Sequence, residues 1–169
     1  LADASRLIEL IPEEVYGYYT RGWIYELMGN DEAAMADYNQ GIEVDDTYAY
    51  IYLMRGEQYL KMGETELAKA DFERVLELDT EATDGSCRHY ALHFLGRNDE
   101  AIEWMERIIE TDTYKPGYRY DEACLYARMG NVERALDALR LALILGYKAK
   151  AHIENDDDLD PIRHTEAYK

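Results

Sequence analysis

An all-α solenoid of stacked antiparallel helix pairs is the fold class that this sequence predicts. Three observations lead to it. The chain repeats itself with a period of 34 residues, and its apolar residues recur at helical spacing within each period. A glycine also stands at the same place in each period, where a first helix must stop. Only three prolines and eleven glycines in 169 residues argue against a disordered or all-β chain.

The period is clearest when the stretch Tyr52–Asp79 is laid on the residues 34 positions earlier. Tyr52 meets Tyr18, Arg55 meets Arg21, Gly56 meets Gly22 and Tyr59 meets Tyr25. Met62-Gly63 meets Met28-Gly29, Ala68 meets Ala34, Phe72 meets Tyr38 and Asp79 meets Asp45. Gly63 then meets Gly96 at an offset of 33, and Gly96 meets Gly130 at 34. Around these glycines the text reads LMGNDEAAMADY, KMGETELAKADF, FLGRNDEAIEWM and RMGNVERALDAL.

Each element follows in order. Residues 1–14, with ASRLIELIP closing on Pro12, read as the last turns of a second helix from a preceding pair. Residues 15–48 and 49–82 are the two clearest pairs. In the second, Tyr52, Gly56 and Tyr59 share one face of a first helix, and Gly63 takes the left-handed C-cap conformation that ends it. Ala68, Phe72, Val75 and Leu76 line one stripe of the second helix. Gly56 and Ala68 are small, so the two helices approach closely while the rings of Tyr59 and Phe72 fill the space beside them. Residues 83–115 form an atypical pair, one residue short and without the glycine of the first helix, which falls near residues 86–95. Residues 116–149 keep Ala123, Tyr126, Met129-Gly130, Ala135 and Ala142. Residues 150–169 close the array. One hairpin cannot bury both its faces, so the pattern must recur and the last outer face must be covered. Ile153, Leu159, Ile162 and Tyr168 are expected over the second helix of the fourth pair, with Asp156, Asp157, Asp158 and Asp160 facing water.

The pattern resembles the tetratricopeptide repeat, a helix-turn-helix unit read as W-x2-L-G-x2-Y…A-x3-F…P. The second pair gives Tyr52-x2-Arg55-Gly56-x2-Tyr59 and then Ala68-x3-Phe72; the first gives Tyr18-x2-Arg21-Gly22-x2-Tyr25 and then Ala34-x3-Tyr38. Tyr replaces Trp, Arg replaces Leu, and Asp46 and Thr80 stand where proline is usual. The end, with its Gly-Tyr turn and DLDPIR, resembles the closure of some bacterial members of the family. The resemblance implies a single domain forming a right-handed superhelix whose first helices line a concave side.

It also implies where a partner would lie. The groove positions are Tyr16, Tyr19 and Trp23 in the first unit, and Tyr50, Leu53, Glu57 and Leu60 in the second. The third unit offers Tyr90, His93 and Phe94, and the fourth Tyr120, Cys124 and Arg128. Tyr16, Tyr19, Trp23, Tyr50, Leu53, Tyr90, Phe94 and Tyr120 are the expected partner-binding residues. Rings give contact area at low entropy cost. The Lys, Arg and Asn set with which chaperone-binding members hold a terminal carboxylate is replaced here by Tyr19, Trp23 and Met54. An acidic C-terminal peptide is therefore a poor candidate.

Charge narrows the partners further. The formal net charge is −18, from 36 acidic and 18 basic residues. Such a surface repels nucleic-acid phosphates and anionic lipid, and favours a neutral or basic protein or peptide. Neither a cofactor nor a resident metal is expected. His89 and His93 stand four apart near Cys87, but HYALH has no general-base Glu and too few ligands for a structural zinc, so they read as partly exposed helix histidines. NDDDLD lacks the central Gly and final Glu of a calcium loop. There is no G-x-S-x-G, Gly-rich phosphate loop or H-E-x-x-H, and the expectation is a non-catalytic chain. Cys87 and Cys124 read as small core residues rather than a disulfide framework. No apolar run approaches a membrane span and no signal peptide is visible, which points to the cytoplasm. The chain opens on Leu1 rather than Met, as a fragment or processed form would. The expected function is a protein-interaction scaffold; the alternative is a spacer or self-association module of a longer protein, forming a homo-oligomer.

Overall fold

A computed structural model describes residues 1–80 and 87–168. The expected start of the third repeat, at residue 83, and Ser86 at the edge of its first helix lie outside the described residues. Among those described the regular structure is helical, with no strand. The chain forms two compact units, Leu1–Gly96 and Arg97–Lys169.

The first unit holds α1 (Ala2–Leu10), α2 (Val15–Leu27), α3 (Asp31–Val44), α4 (Ala49–Lys61), α5 (Thr65–Leu78) and α6 (Arg88–Phe94). Helices α2 with α3, and α4 with α5, are the two antiparallel pairs that the period predicts. The stop between partners works as the glycines imply. Gly63 has φ +79°, its N–H donates to the Leu60 carbonyl at 3.0 Å, and the Glu64 N–H donates to the Tyr59 carbonyl at 2.8 Å. This pair of bonds satisfies two carbonyls that the helix end would leave bare. In the first hairpin the second helix, α3, starts on a side-chain cap: Asn30 Oδ1 accepts from the Ala33 N–H at 3.3 Å.

Packing inside each pair depends on a ring against a glycine. A Cβ on Gly56 would fall 2.6 Å from Phe72 Cε1, and one on Gly22 would fall 2.5 Å from Tyr38 Cε1. Ala34, Ala68, Tyr38 and Phe72 are buried beside them. Between pairs, Gly41 gives room to Ile51 in the same way.

An ion pair clasps both of these hairpins. Arg55 Nε and Nη2 donate to Asp71 Oδ2 and Oδ1 at 2.8 and 2.7 Å. Arg21 makes the same fork on Asp37 at 2.8 and 2.6 Å. The hydrogen bonds raise the pKa of both guanidinium groups. Arg at the consensus Leu position is thus answered by a buried aspartate on the partner helix. Arg55 also donates to Asn39 Oδ1 at 2.8 Å, in the preceding hairpin, and lies over the rings of Tyr52 and Tyr59.

Asp79 ends the second hairpin and starts the third. Its buried Oδ2 accepts from the backbone N–H groups of Cys87 and Arg88 at 2.7 and 2.6 Å, so it caps α6 from outside the helix. His89 of α6 is fully buried while His93 is half-buried. This corrects the expectation of two partly exposed histidines: α6 turns His89 inward beside Cys87, Ala91 and Leu92, which are buried too.

The second unit holds α7 (Asn98–Thr111), α8 (Pro116–Arg128), α9 (Val132–Ile144), α10 (Lys150–Asn155), a 3₁₀ turn (Asp157–Leu159) and α11 (Asp160–Arg163). Helix α8 is the centre of this unit. Five consecutive residues, Ala123 to Ala127, are buried, because α7, α9 and the tail all pack on it. Gly146, at φ +101°, closes α9 and sends the chain back.

The tail departs from expectation. The 3₁₀ turn lies on α8, the first helix of the pair, and α11 rests on both α8 and α9. Leu159 and Ile162 are fully buried there. Asp156 and Asp158 do not face water but turn inward onto α8. The reason is a stripe of partners at helical spacing on α8: Tyr120, Cys124 and Arg128. Tyr120 donates its hydroxyl to Asp156 Oδ2 at 2.6 Å, and Arg128 Nε donates to Asp158 Oδ1 at 2.6 Å. Asp157 and Asp160 are exposed.

Candidate partner-binding surface

Helix α2 carries an exposed aromatic stripe. Tyr16, Tyr19, Trp23 and Leu27 fall at i, i+3, i+7 and i+11, so they share one face. Tyr16 is 54 % exposed, Trp23 41 % and Leu27 63 %. Tyr19 is half-buried because three other tyrosines surround it. Its ring centroid lies 5.9 Å from Tyr16, 5.6 Å from Tyr48 and 6.1 Å from Tyr50. Tilted and edge-on contacts of this kind hold the rings rigid.

Burial is the main cause that pushes the Tyr19 phenol up to about 12, with Tyr16, Cys87, Glu26 and Glu57 adding to it. Burial raises the Tyr48 phenol as well, and Glu14 is among the smaller causes there. Tyr19 and Tyr48 are therefore neutral at physiological pH, with the carboxylates of Glu14, Glu26 and Glu57 adding to the effect of burial. Beside the cluster, Lys61 pairs with Glu26, which also accepts from the Tyr38 hydroxyl at 3.1 Å.

The structure separates the expected site residues. Tyr16, Tyr19, Trp23 and Tyr50 come together on α2 and α4. Leu53 is 4 % exposed and belongs to the core. Phe94 stacks on Phe72 with centroids 4.8 Å apart, so its ring packs between hairpins. Tyr90 is half-buried, with its ring 4.0 Å from that of His89. Tyr120 is 3 % exposed, stacked on Tyr147 at 4.3 Å and covered by the tail. Sequence reasoning missed Tyr48 and Leu27. Leu27 was findable, because it continues the spacing of Tyr16, Tyr19 and Trp23. Tyr48 was not, since it precedes α4 and has no place in a helical register.

Cys124 and the two tail aspartates bring three ligand-type atoms within 4.8 Å of one another. Asp156 already accepts from Tyr120, Asp158 already pairs with Arg128, and the Arg128 charge beside them opposes a cation. These groups anchor the tail.

Helix pairs that turn a rigid aromatic face outward define a repeat scaffold, a protein that works by presenting surface to other proteins. The chain belongs to the tetratricopeptide repeat family, whose model matches residues 15–48, 49–81 and 90–113. The fourth pair, α8 with α9, lies outside those matches. Members of this family are in general non-catalytic interaction scaffolds.

Among curated proteins, the chain is similar to a chloroplastic protein of Arabidopsis thaliana, at 30 % identity over 76 residues. That match takes in 43 % of this chain and 23 % of the plant protein, so the chain spans less than a quarter of that relative's length. Among solved structures it is similar to the APC/C hetero-tetramer Cut9–Hcn1, with a TM-score of 0.56 and 16 % identity, over 87 % of this chain and 28 % of that one. YrrB, described as a TPR protein with an unusual peptide-binding site, gives 0.47 at 18 % identity over 98 % and 95 % of the two chains. MamA gives 0.46 at 20 % identity over 88 % and 87 %. These likenesses concern the fold alone. No helix among the described residues is long and apolar enough to cross a membrane.

Proposed function

We propose that the chain is a non-catalytic scaffold that holds a segment of a neutral or basic partner protein against the α2–α4 face. The observation that carries this reading is the exposed Tyr16, packed against the Tyr19, Tyr48 and Tyr50 cluster, with the exposed Trp23 further along the same face of α2. Large rings that are already ordered and still accessible lose little entropy on binding, which is why such residues dominate interfaces. The chain's charge of −18 favours a partner with Lys or Arg and disfavours nucleic acid and anionic membrane. Tyr50 and Tyr90 extend the face by smaller, half-buried contributions. Leu53 and Phe94 support it from inside the first unit.

Affinity capture from the native source, with wild-type chain and a Tyr16→Ala/Trp23→Ala variant as baits, tests this. Both side chains are exposed, so the variant keeps its fold. Partners lost on the variant, by about tenfold or more in affinity, support the reading. An unchanged partner set with unchanged affinities refutes it.

A further inference from the structure

We infer that the occupant of this face is a basic amphipathic α-helix lying along α2, rather than an extended strand crossing from α2 to α4. The inference rests on the partner-binding reading above and concerns the shape and charge of the segment bound.

The argument is one of direction. Along α2 the apolar stripe runs from Tyr16 through the half-buried Tyr19 to the exposed Trp23 and Leu27, about 16 Å at 1.5 Å per residue. Across the repeat it stops after one step. At the positions 34 residues later, Tyr16 is followed by the half-buried Tyr50 and Tyr19 by the buried Leu53. Trp23 is followed by Glu57, and Leu27 by Lys61. A segment running across would meet one apolar contact and then charges. A segment running along α2 meets four. Their spacing of three and four residues forms a ridge, and the surface that fits such a ridge at close range is another helix with its own apolar stripe.

Charge sets the flanks. Glu57 stands on the α4 side of the stripe, and Glu14 stands at its start. The Lys61 charge nearby is paired with Glu26. Lys or Arg on either side of the incoming apolar stripe meets these carboxylates, whereas Asp or Glu there meets repulsion.

Trp23 supplies the readout. It is one of two tryptophans, and the other, Trp104, is buried, so a shift in exposed-tryptophan emission reports this face. The probes are roughly 16-residue peptides of Leu and Lys only, long enough to cover the stripe as a helix. One has Leu at helical spacing; its isomer of identical composition alternates Leu and Lys; a third has the helical order with Glu for Lys. The helical Lys peptide is expected to shift Trp23 emission to the blue and to bind about tenfold more tightly than the alternating isomer. Leu27→Ser should weaken it about fivefold with an unchanged circular dichroism spectrum.

Equal or tighter Trp23-dependent binding of the alternating isomer overturns the helix and leaves the partner-binding reading standing. Equal binding of the Glu peptide overturns the charge assignment. If neither Lys peptide moves Trp23 emission, or if Tyr16→Ala and Leu27→Ser leave binding unchanged, the inference fails, and the captures above decide whether the broader reading fails with it.

Discussion

Arg55→Leu installs the residue usual at its place in the repeat, and by consensus reasoning it should stabilise the chain. The structure predicts the opposite. Asp71 is 5 % exposed, and both its oxygens are taken by the Arg55 fork. Leucine would strand that carboxylate between α4 and α5. Losing one partner of a buried pair costs about 3–5 kcal/mol, and the partial exposure of Arg55 lowers the figure here to about 2–3 kcal/mol. Asp71→Leu should cost less, about 1 kcal/mol, because Arg55 keeps Asn39 and reaches water. The double variant removes both charges and should recover most of the loss, a coupling of about 2 kcal/mol. Urea unfolding in a Trp104→Phe background, followed by Trp23 emission, reads the first unit alone. Arg55→Leu matching or exceeding its parent, or a coupling below about 0.5 kcal/mol, would refute the clasp as a source of stability.

Other consequences can be checked separately. Gly56→Ala gains about 1 kcal/mol of helix propensity but drives a methyl into Phe72, which Phe94 holds from behind; a net loss of about 1–2 kcal/mol is expected in the same urea assay. Asp156→Ala removes the acceptor of the Tyr120 hydroxyl, and faster proteolysis within residues 150–168 should follow, at a stability cost of about 1–3 kcal/mol. Burial pushes the Tyr19 and Tyr147 phenols up to about 12, from an ordinary value of 10.0. Both are raised by folding, so their stabilisation is complete below pH 10 and is lost as pH rises toward about 12. Tyrosinate absorbance in alkaline titration checks this: Tyr19→Phe should remove a late-ionising phenol, and an unchanged curve above pH 11 would contradict the assignment.

The hairpins were legible in the sequence because their signals are local. Gly63 ends α4 through its own backbone conformation, Tyr16 and Trp23 act through spacing along α2, and Gly56 acts through spacing along α4. Long-range pairing is what stayed hidden. The arginine at the consensus leucine position was visible as a departure, but its answer at Asp71 lies on another helix and has no motif. The tail shows the same limit more sharply. An acidic run is ordinarily solvated, and only the stripe of Tyr120, Cys124 and Arg128 on α8 draws Asp156 and Asp158 inward. The expected site split along the same line: on α2 exposure followed from register, whereas Leu53, Phe94 and Tyr120 were claimed by packing that register cannot report.

Each arginine fork closes on an aspartate of its own hairpin, sixteen residues further on. The hairpin thereby carries its fastening with it, like a cassette with its own catch. A gene segment encoding one period can be duplicated in frame without waiting for a compensating change in the neighbouring copy. Lengthening such an array is then a single genetic event, and the second copy is free to drift toward a different visitor while the first keeps the old one.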